Sequence, residues 1–174
     1  MRKQVVTQSP QEPPTVEPDW LDLERIAQVE VTSEEAAHPV ESALIPGTGL
    51  GWRAAESGGQ TIRLLFDAPQ RITRIRLQFE EPMGGGRTQE FVLRWSPGGG
   101  QPYREIVRQQ YNFSPPDVTS EVEDYAVELD GVAELELVIT PDISGGFACA
   151  SLAQLRLAGG RAEAVSHGAS AQPI

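Results

Sequence analysis

The stretch FVLRWSPGGGQPYREIV, residues 91–107, contains two alternating runs separated by a proline and three consecutive glycines. Phe91, Leu93 and Trp95 mark one face of the first run. A phosphate-binding loop needs its glycines to lead into a helix whose amides hold the anion, with a lysine in the most common version. Here the glycines are followed by a strand-like run that begins at Pro102, and this run contains no lysine. The glycines are therefore predicted to form the turn of a β-hairpin, where positive φ angles are required.

The same period-2 alternation recurs through the middle of the chain. Its apolar sets are Ile62, Leu64, Phe66; Ile75, Leu77, Phe79; Tyr125, Val127, Leu129; and Leu135, Leu137, Ile139. Short alternating runs separated by Gly, Pro and Asp turns indicate half-buried antiparallel strands. Only DWLDLERIAQVE, residues 19–30, favours a short helix. The predicted fold class is an all-β antiparallel sandwich.

Composition narrows the classes of function. The 174 residues carry a net charge of −11, which disfavours binding to nucleic acids or anionic membranes, because a phosphate backbone is held mainly by clustered cations. The one cysteine, Cys149, cannot form an intramolecular disulfide. The N-terminal stretch shows neither a signal peptide nor a membrane span, so a cytoplasmic protein is expected.

The chain divides into three parts. Residues 1–18 are rich in Pro and Glu and are predicted to form a flexible leader. Residues 159–174 are small and polar and are predicted to form a flexible tail. The folded unit is expected to span residues 19–158.

The order of the sequence landmarks resembles the discoidin-type domain, also called the coagulation-factor C-type domain, of the galactose-binding-like jelly-roll superfamily. The resemblance covers residues 29–157. It is carried by VEVTSE (29–34), HPVESAL (38–44), GWRAAESGGQTIRLLFDAPQRITRIRL (51–77), the hairpin with Trp95-Ser96 before the turn and Tyr103 after it, and SGGFACASLAQLRLA (144–158).

The resemblance implies a jelly roll of eight main strands that binds ligands through loops at one end and has no catalytic activity or cofactor of its own. Two departures limit what carries over. The terminal cysteine pair of extracellular members is missing, and ALIPG (43–47) lacks the aspartate that often lies near a structural calcium, so no bound metal is expected.

Two candidate ligand residues lie early in the folded unit. Arg53 follows Trp52, and an arginine beside an indole suits a sugar, whose C–H face covers the ring while the guanidinium donates to hydroxyls. Trp52 itself is predicted to belong to the core, and Arg53 to bind a ligand or to anchor a loop. His38 either donates to a sugar hydroxyl, as in some sugar-binding relatives, or is a turn residue before Pro39.

The stretch QQYNFSPPDVTS, residues 109–120, is predicted to be the longest loop. It holds Tyr111, Asn112 and Phe113, and exposed aromatic rings beside an amide suit a polar ring ligand. The alternative is a surface loop pinned by Phe113 packing inward. Because this loop and the glycine turn flank one strand, they should leave from opposite ends of the sandwich, with the binding site on the side of Asn112.

The function predicted from these observations is a non-catalytic binding module for carbohydrate or glycan-like ligands. The alternative is a protein–protein interaction or assembly domain that uses the same loops or an acidic face. Discoidin-like domains also occur in DNA-repair scaffolds, but the charge of −11 disfavours a nucleic-acid partner. The oligomeric state is left open.

Overall fold

The computed structural model describes residues 17–81 and 84–160, and its strands pair antiparallel throughout. The strands, in chain order, are β1 (Ala27–Val31), β2 (Trp52–Ser57), β3 (Gln60–Glu80), β4 (Arg87–Ser96), β5 (Arg104–Phe113), β6 (Ser120–Thr140), β7 (Cys149–Leu152) and β8 (Gln154–Ala158). Two short helices complete the fold, α1 (Leu23–Ile26) and α2 (Glu41–Leu44). The all-β antiparallel jelly roll predicted from the sequence is confirmed.

Two strands of 21 residues each, β3 and β6, run through both layers of the sandwich. They pair along most of their length, but their register shifts repeatedly between Leu65 and Arg74. Pro69 lies in this interval on β3, and Gly131, with φ of +71°, lies in the facing interval of β6, between Leu129 and Val132. Proline has no backbone N–H to donate to a neighbouring strand, and glycine tolerates positive φ, so both residues suit a sharp bend. The alternating runs at 62–66 and 75–79, which the sequence separates by a proline, are thus two halves of one strand.

Each half of the bent pair recruits different neighbours. The first half of β3 and the second half of β6 carry β1 on one side and β4 with β5 on the other. The second half of β3 pairs with the first half of β6 and with β8. The rings of Phe79 and Phe91 stack 5.3 Å apart although their strands are not paired, which places the core between the two layers.

A two-stranded ribbon, β2 with β7, covers one end of the sandwich. Trp52 pairs with Leu152, next to Ala153, whose amide donates to Gln78 of the second layer. At the other end of the ribbon Ser57 pairs with Cys149, just before β3 begins in the first layer. The side chain of Trp52 is 1% exposed, which confirms its predicted place in the core.

The glycine cluster is a hairpin turn, as predicted. Strands β4 and β5 pair directly across it, and Gly98, Gly99 and Gly100 all have positive φ. The Ser96 hydroxyl accepts from the Gly98 amide at 3.0 Å and donates to the Gln101 carbonyl at 3.0 Å, which closes the turn.

Two predicted element boundaries were wrong. The helix expected in 19–30 is only one turn, because β1 begins at Ala27 and pairs with β3. The long loop expected at 109–120 is only six residues, because β5 extends to Phe113 by pairing with the start of β4. The predicted leader and tail fall almost wholly on residues 1–16 and 161–174, which lie outside the described residues.

The edges of the two layers meet at β5 and the first half of β6, where side chains rather than backbone join them. Gln109 donates to Glu123 at 2.6 Å and accepts from the Tyr125 hydroxyl at 2.5 Å. The Tyr111 hydroxyl donates to the Ser120 carbonyl at 3.0 Å. We call this contact the polar seam.

Glu121 lies next to the seam and is buried. It is the strand partner of core residue Phe79 and is 4% exposed, and neither of its carboxylate oxygens has a hydrogen-bond partner among the described residues. Burial raises the pKa of Glu121 from about 4.5 to about 8, with a further contribution from neighbouring Glu123. At neutral pH the folded protein therefore holds a proton on this carboxyl group.

We predict that Glu121→Gln stabilises the protein at alkaline pH. A raised carboxyl pKa stabilises the fold most below the unfolded pKa, and that stability is lost as the pH rises toward the folded value near 8. The amide cannot ionise, so at pH 9 the variant should exceed the wild type by about 4–5 kcal/mol in free energy of unfolding, and by much less at pH 5. Urea unfolding at the two pH values measures the difference, with Glu128→Gln, an exposed position on the same strand, as the control. An equal gain at both pH values would contradict the prediction.

Candidate functional site

The ribbon and the end of β3 enclose a cavity of about 210 Å³, here called the ribbon cavity. Its lining residues are His38, Leu50, Trp52, Arg53, Glu80, Ser151, Leu152 and Ala153. An imidazole, a guanidinium, a carboxylate and a hydroxyl thus share one small space with apolar groups.

Backbone pairing places two of these side chains. The amide of Arg53 donates to the His38 carbonyl at 3.2 Å, and the Arg53 carbonyl accepts from the Glu35 amide at 2.9 Å. This pairing ties the 35–38 turn to strand β2 and brings His38 beside Arg53. The structure therefore joins two of the residues predicted for ligand binding. Arg53 forms no side-chain hydrogen bond or ion pair with any described residue.

A second cavity, about 460 Å³ and more open, lies where β4 begins and β5 ends; we call it the hairpin cavity. It is lined by Gly86, Arg87, Thr88, Asn112, Phe113, Asp142, Ile143 and Ser144. The side-chain amide oxygen of Asn112, Oδ1, accepts from the Thr88 hydroxyl at 2.5 Å. Hydrogen bonds from the Ser144 hydroxyl and amide hold the pKa of Asp142 below its ordinary value, so this carboxylate is charged.

The two predicted aromatic platforms have other roles. Phe113 is 1% exposed and packs edge-on against Tyr111 at 5.0 Å, so its ring is not available to a ligand. This corrects the prediction for Phe113, which the end of β5 turns inward. Tyr111 is half-buried, lines neither cavity and donates to Ser120 in the polar seam. The predicted set of five residues is therefore divided among the two cavities, the core and the polar seam.

A buried ion pair lies between the two cavities. Arg87 Nη2 is 2.8 Å from Glu81 Oε1, and the two side chains are 8% and 6% exposed. The Arg87 Nε group donates to the Pro141 carbonyl at 2.9 Å, and the Ser151 hydroxyl donates to Glu81. The guanidinium of Arg87 is therefore buried in an ion pair rather than exposed to solvent.

Sequence reasoning missed the apolar side chains exposed near these cavities. Phe147 is 94% exposed, Leu50 is 87% exposed and Ile143 is 50% exposed. Leu50 lines the ribbon cavity and Ile143 the hairpin cavity. An available signal was the glycine pair before Phe147, because glycines on a short loop leave a neighbouring side chain without packing partners.

The ribbon cavity is suited to hold a ring that carries several hydroxyl groups. A guanidinium donates in a fixed plane, a carboxylate accepts, and an imidazole nitrogen does either, so a pattern of neighbouring hydroxyls can be matched. In residues 17–81 and 84–160, no three His, Cys, Asp or Glu side chains are grouped to hold a metal ion. No helix in that part of the chain is long and apolar enough to cross a membrane.

Comparison with known proteins establishes the fold. No family model and no curated protein matches the chain. Among solved structures, a family 32 carbohydrate-binding module from Clostridium perfringens, in complex with galactose, is 14% identical with a TM-score of 0.56, over 80% of this chain and 97% of that chain. Another module from Clostridium perfringens, in complex with GalNAc-β-1,3-galactose, is 18% identical with a TM-score of 0.58, over 80% and 99% of the two chains.

A pectin-binding carbohydrate-binding module is 16% identical with a TM-score of 0.54, and the match covers 86% of this chain and 95% of that one. At such identities the similarity concerns the fold. The jelly-roll β-sandwich that the sequence landmarks suggested is confirmed.

The buried ion pair and the ribbon cavity predict opposite behaviour for two arginines. Arg87→Ala should lower the free energy of unfolding by about 3–5 kcal/mol, because it leaves the Glu81 carboxylate buried without its partner. Arg53→Ala should change it by less than about 0.5 kcal/mol, because no described residue depends on that guanidinium. Urea unfolding of both variants tests the contrast, and equal losses would show that Arg53 also stabilises the fold.

Proposed function

We propose that this chain is a non-catalytic carbohydrate-binding module and that its ligand occupies the ribbon cavity. The observation that carries the proposal is the convergence of His38, Arg53 and Glu80 on a cavity of about 210 Å³ beside Trp52. A cavity of that size suits one sugar ring better than an extended chain. An arginine without an internal partner is free to donate to vicinal hydroxyls.

The solved neighbours support this choice of ligand class. Their ligands are galactose, GalNAc-β-1,3-galactose and, in a further module, 4,5-unsaturated mannuronic acid. These modules share the fold of this chain, in which the ribbon covers one end of the sandwich. We therefore expect a neutral or acidic sugar at that end of this protein as well.

A binding role also fits the carboxyl groups near the cavity better than a catalytic one. Glu80 is exposed and accepts from Gln78, whereas Glu81 is buried and paired with Arg87. Two acids on opposite faces of one strand cannot act together on a glycosidic bond. The cytoplasmic location expected from the sequence stays a prediction.

The test is a glycan array followed by isothermal titration with the sugar that binds best. Arg53→Ala and His38→Ala should each weaken binding by about 1–3 kcal/mol, because each removes a buried polar contact with the ligand. Asn112→Ala is the matched control, since Asn112 is polar and exposed and lines the other cavity.

Two results would contradict the proposal in different ways. Failure of the wild-type protein to bind any glycan would exclude the carbohydrate function. Loss of affinity in Asn112→Ala with none in Arg53→Ala would move the site to the hairpin cavity.

A further inference from the structure

The ribbon cavity and the hairpin cavity are separated by a single carboxylate group. Glu81 Oε1 accepts from the hydroxyl of Ser151, which lines the ribbon cavity. The same oxygen lies 2.8 Å from Nη2 of Arg87, which lines the hairpin cavity. A chain ligand whose first ring occupies the ribbon cavity therefore needs to cross only this ion pair to reach the hairpin cavity.

Hydrogen bonds fix the walls of the hairpin cavity in place. The Ile143 amide donates to the Thr88 carbonyl at 2.9 Å. Arg87 Nε donates to the Pro141 carbonyl at 2.9 Å, so the chain that follows β6 is tied to the start of β4 at two points. The Thr88 hydroxyl in turn holds the side chain of Asn112. A preformed site of this kind loses little conformational entropy when it binds a ligand.

Two side chains of the hairpin cavity have hydrogen-bonding groups that no other described residue uses. Asn112 accepts through Oδ1, so both N–H groups of its side-chain amide stay available as donors. Asp142 Oδ1 accepts from the amide and the hydroxyl of Ser144, at 3.0 and 2.7 Å, whereas Asp142 Oδ2 accepts from none of the described residues. A sugar hydroxyl both donates and accepts, so an amide donor and a carboxylate acceptor together match it.

The charges of the hairpin cavity favour a neutral ring over an acidic one. The Arg87 guanidinium is buried and neutralised by Glu81, and the described lining residues include no other cation. The carboxylate of Asp142 is ionised, because hydrogen bonds from Ser144 lower its pKa. A second carboxylate beside it would therefore be repelled. Ile143 is 50% exposed and offers an alkyl surface to the C–H groups of a neutral ring.

We infer that the hairpin cavity is a second sugar subsite, and that the ligand of this module is an oligosaccharide with one ring in each cavity and a neutral hexose beside Asn112, Asp142 and Ile143. The inference rests on the proposed function, which places the first ring in the ribbon cavity. The glycosidic link passes over the Glu81–Arg87 ion pair, whose charges already satisfy each other. The hairpin cavity, at about 460 Å³, is the larger of the two and has room for a whole ring.

The test compares chain lengths by isothermal titration, using the monosaccharide that binds best and the di- and trisaccharides that carry this ring at either end. The affinity of the wild type should rise about tenfold from the monosaccharide to the best longer ligand, because the added ring forms two further hydrogen bonds. Asn112→Ala should reduce this gain to about threefold or less. Gln110→Ala, which removes an exposed amide of the same strand outside both cavities, should keep the full gain. Because the gain is a ratio of two affinities of one variant, a partial loss of folded protein cancels from it.

A second comparison tests the charge of the subsite. A longer ligand whose added ring is a uronic acid should bind the wild type about threefold more weakly than its neutral counterpart, because the added carboxylate faces that of Asp142. Asp142→Asn should abolish this difference, since the amide keeps the size of the side chain and removes its charge.

The results distinguish this inference from the proposed function on which it rests. If the wild type binds no glycan of any length, both fail. If the monosaccharide binds and lengthening the chain brings no gain, only the second subsite is excluded. A full gain in Asn112→Ala, or an equal loss of the gain in Gln110→Ala, would also overturn the second subsite. A preference of the wild type for the uronic acid would overturn the assignment of a neutral ring to the hairpin cavity.

Discussion

The bend shared by β3 and β6 is the constraint on which the rest of the structure depends. Both strands bend in the same interval and pass from one layer to the other together. Because they stay paired on both sides of the bend, their register also fixes how the two layers face each other. Phe79 meets Phe91 only because the second half of β3 returns over the first layer. The same return brings Glu80 back to the end where β3 begins, under the ribbon of β2 and β7. Each cavity at that end is a product of this geometry.

The buried polar groups around the core differ in whether they have a partner. Glu81 and Arg87 satisfy each other and, with Ser151 and Pro141, fill the space between the two cavities. Glu121 has no such partner and keeps a proton instead. Arg76 and Arg156 lie on the opposite face of the same layer, where Asp124 is the strand partner of Arg76. A single sheet thus carries an acid without a partner inside and charges of both signs outside.

The sequence predicted the parts of the fold that depend on local pattern. Period-2 alternation identified the strands, the glycine run identified the hairpin, and the residues around Trp52 indicated the jelly roll. The pattern could not show that Pro69 lies at a bend rather than at a turn, because that depends on β3 pairing with β6 on both sides of it. Nor could it show that Phe113 points inward, since the end of β5 is set by its partner strand. His38 and Arg53 were brought together as predicted, whereas Asn112 lies in another cavity, because the end of β5 pairs with the start of β4 and places Asn112 opposite Thr88.

The ribbon joins positions that are about one hundred residues apart, since Trp52 pairs with Leu152. During synthesis the N-terminal wall of the ribbon cavity leaves the ribosome long before Ser151 and Leu152 exist. The hairpin of β4 and β5 contributes no residue to that cavity. The cavity therefore needs both halves of the chain, and a chain interrupted before β7 would contain most of the first layer while lacking the ribbon cavity.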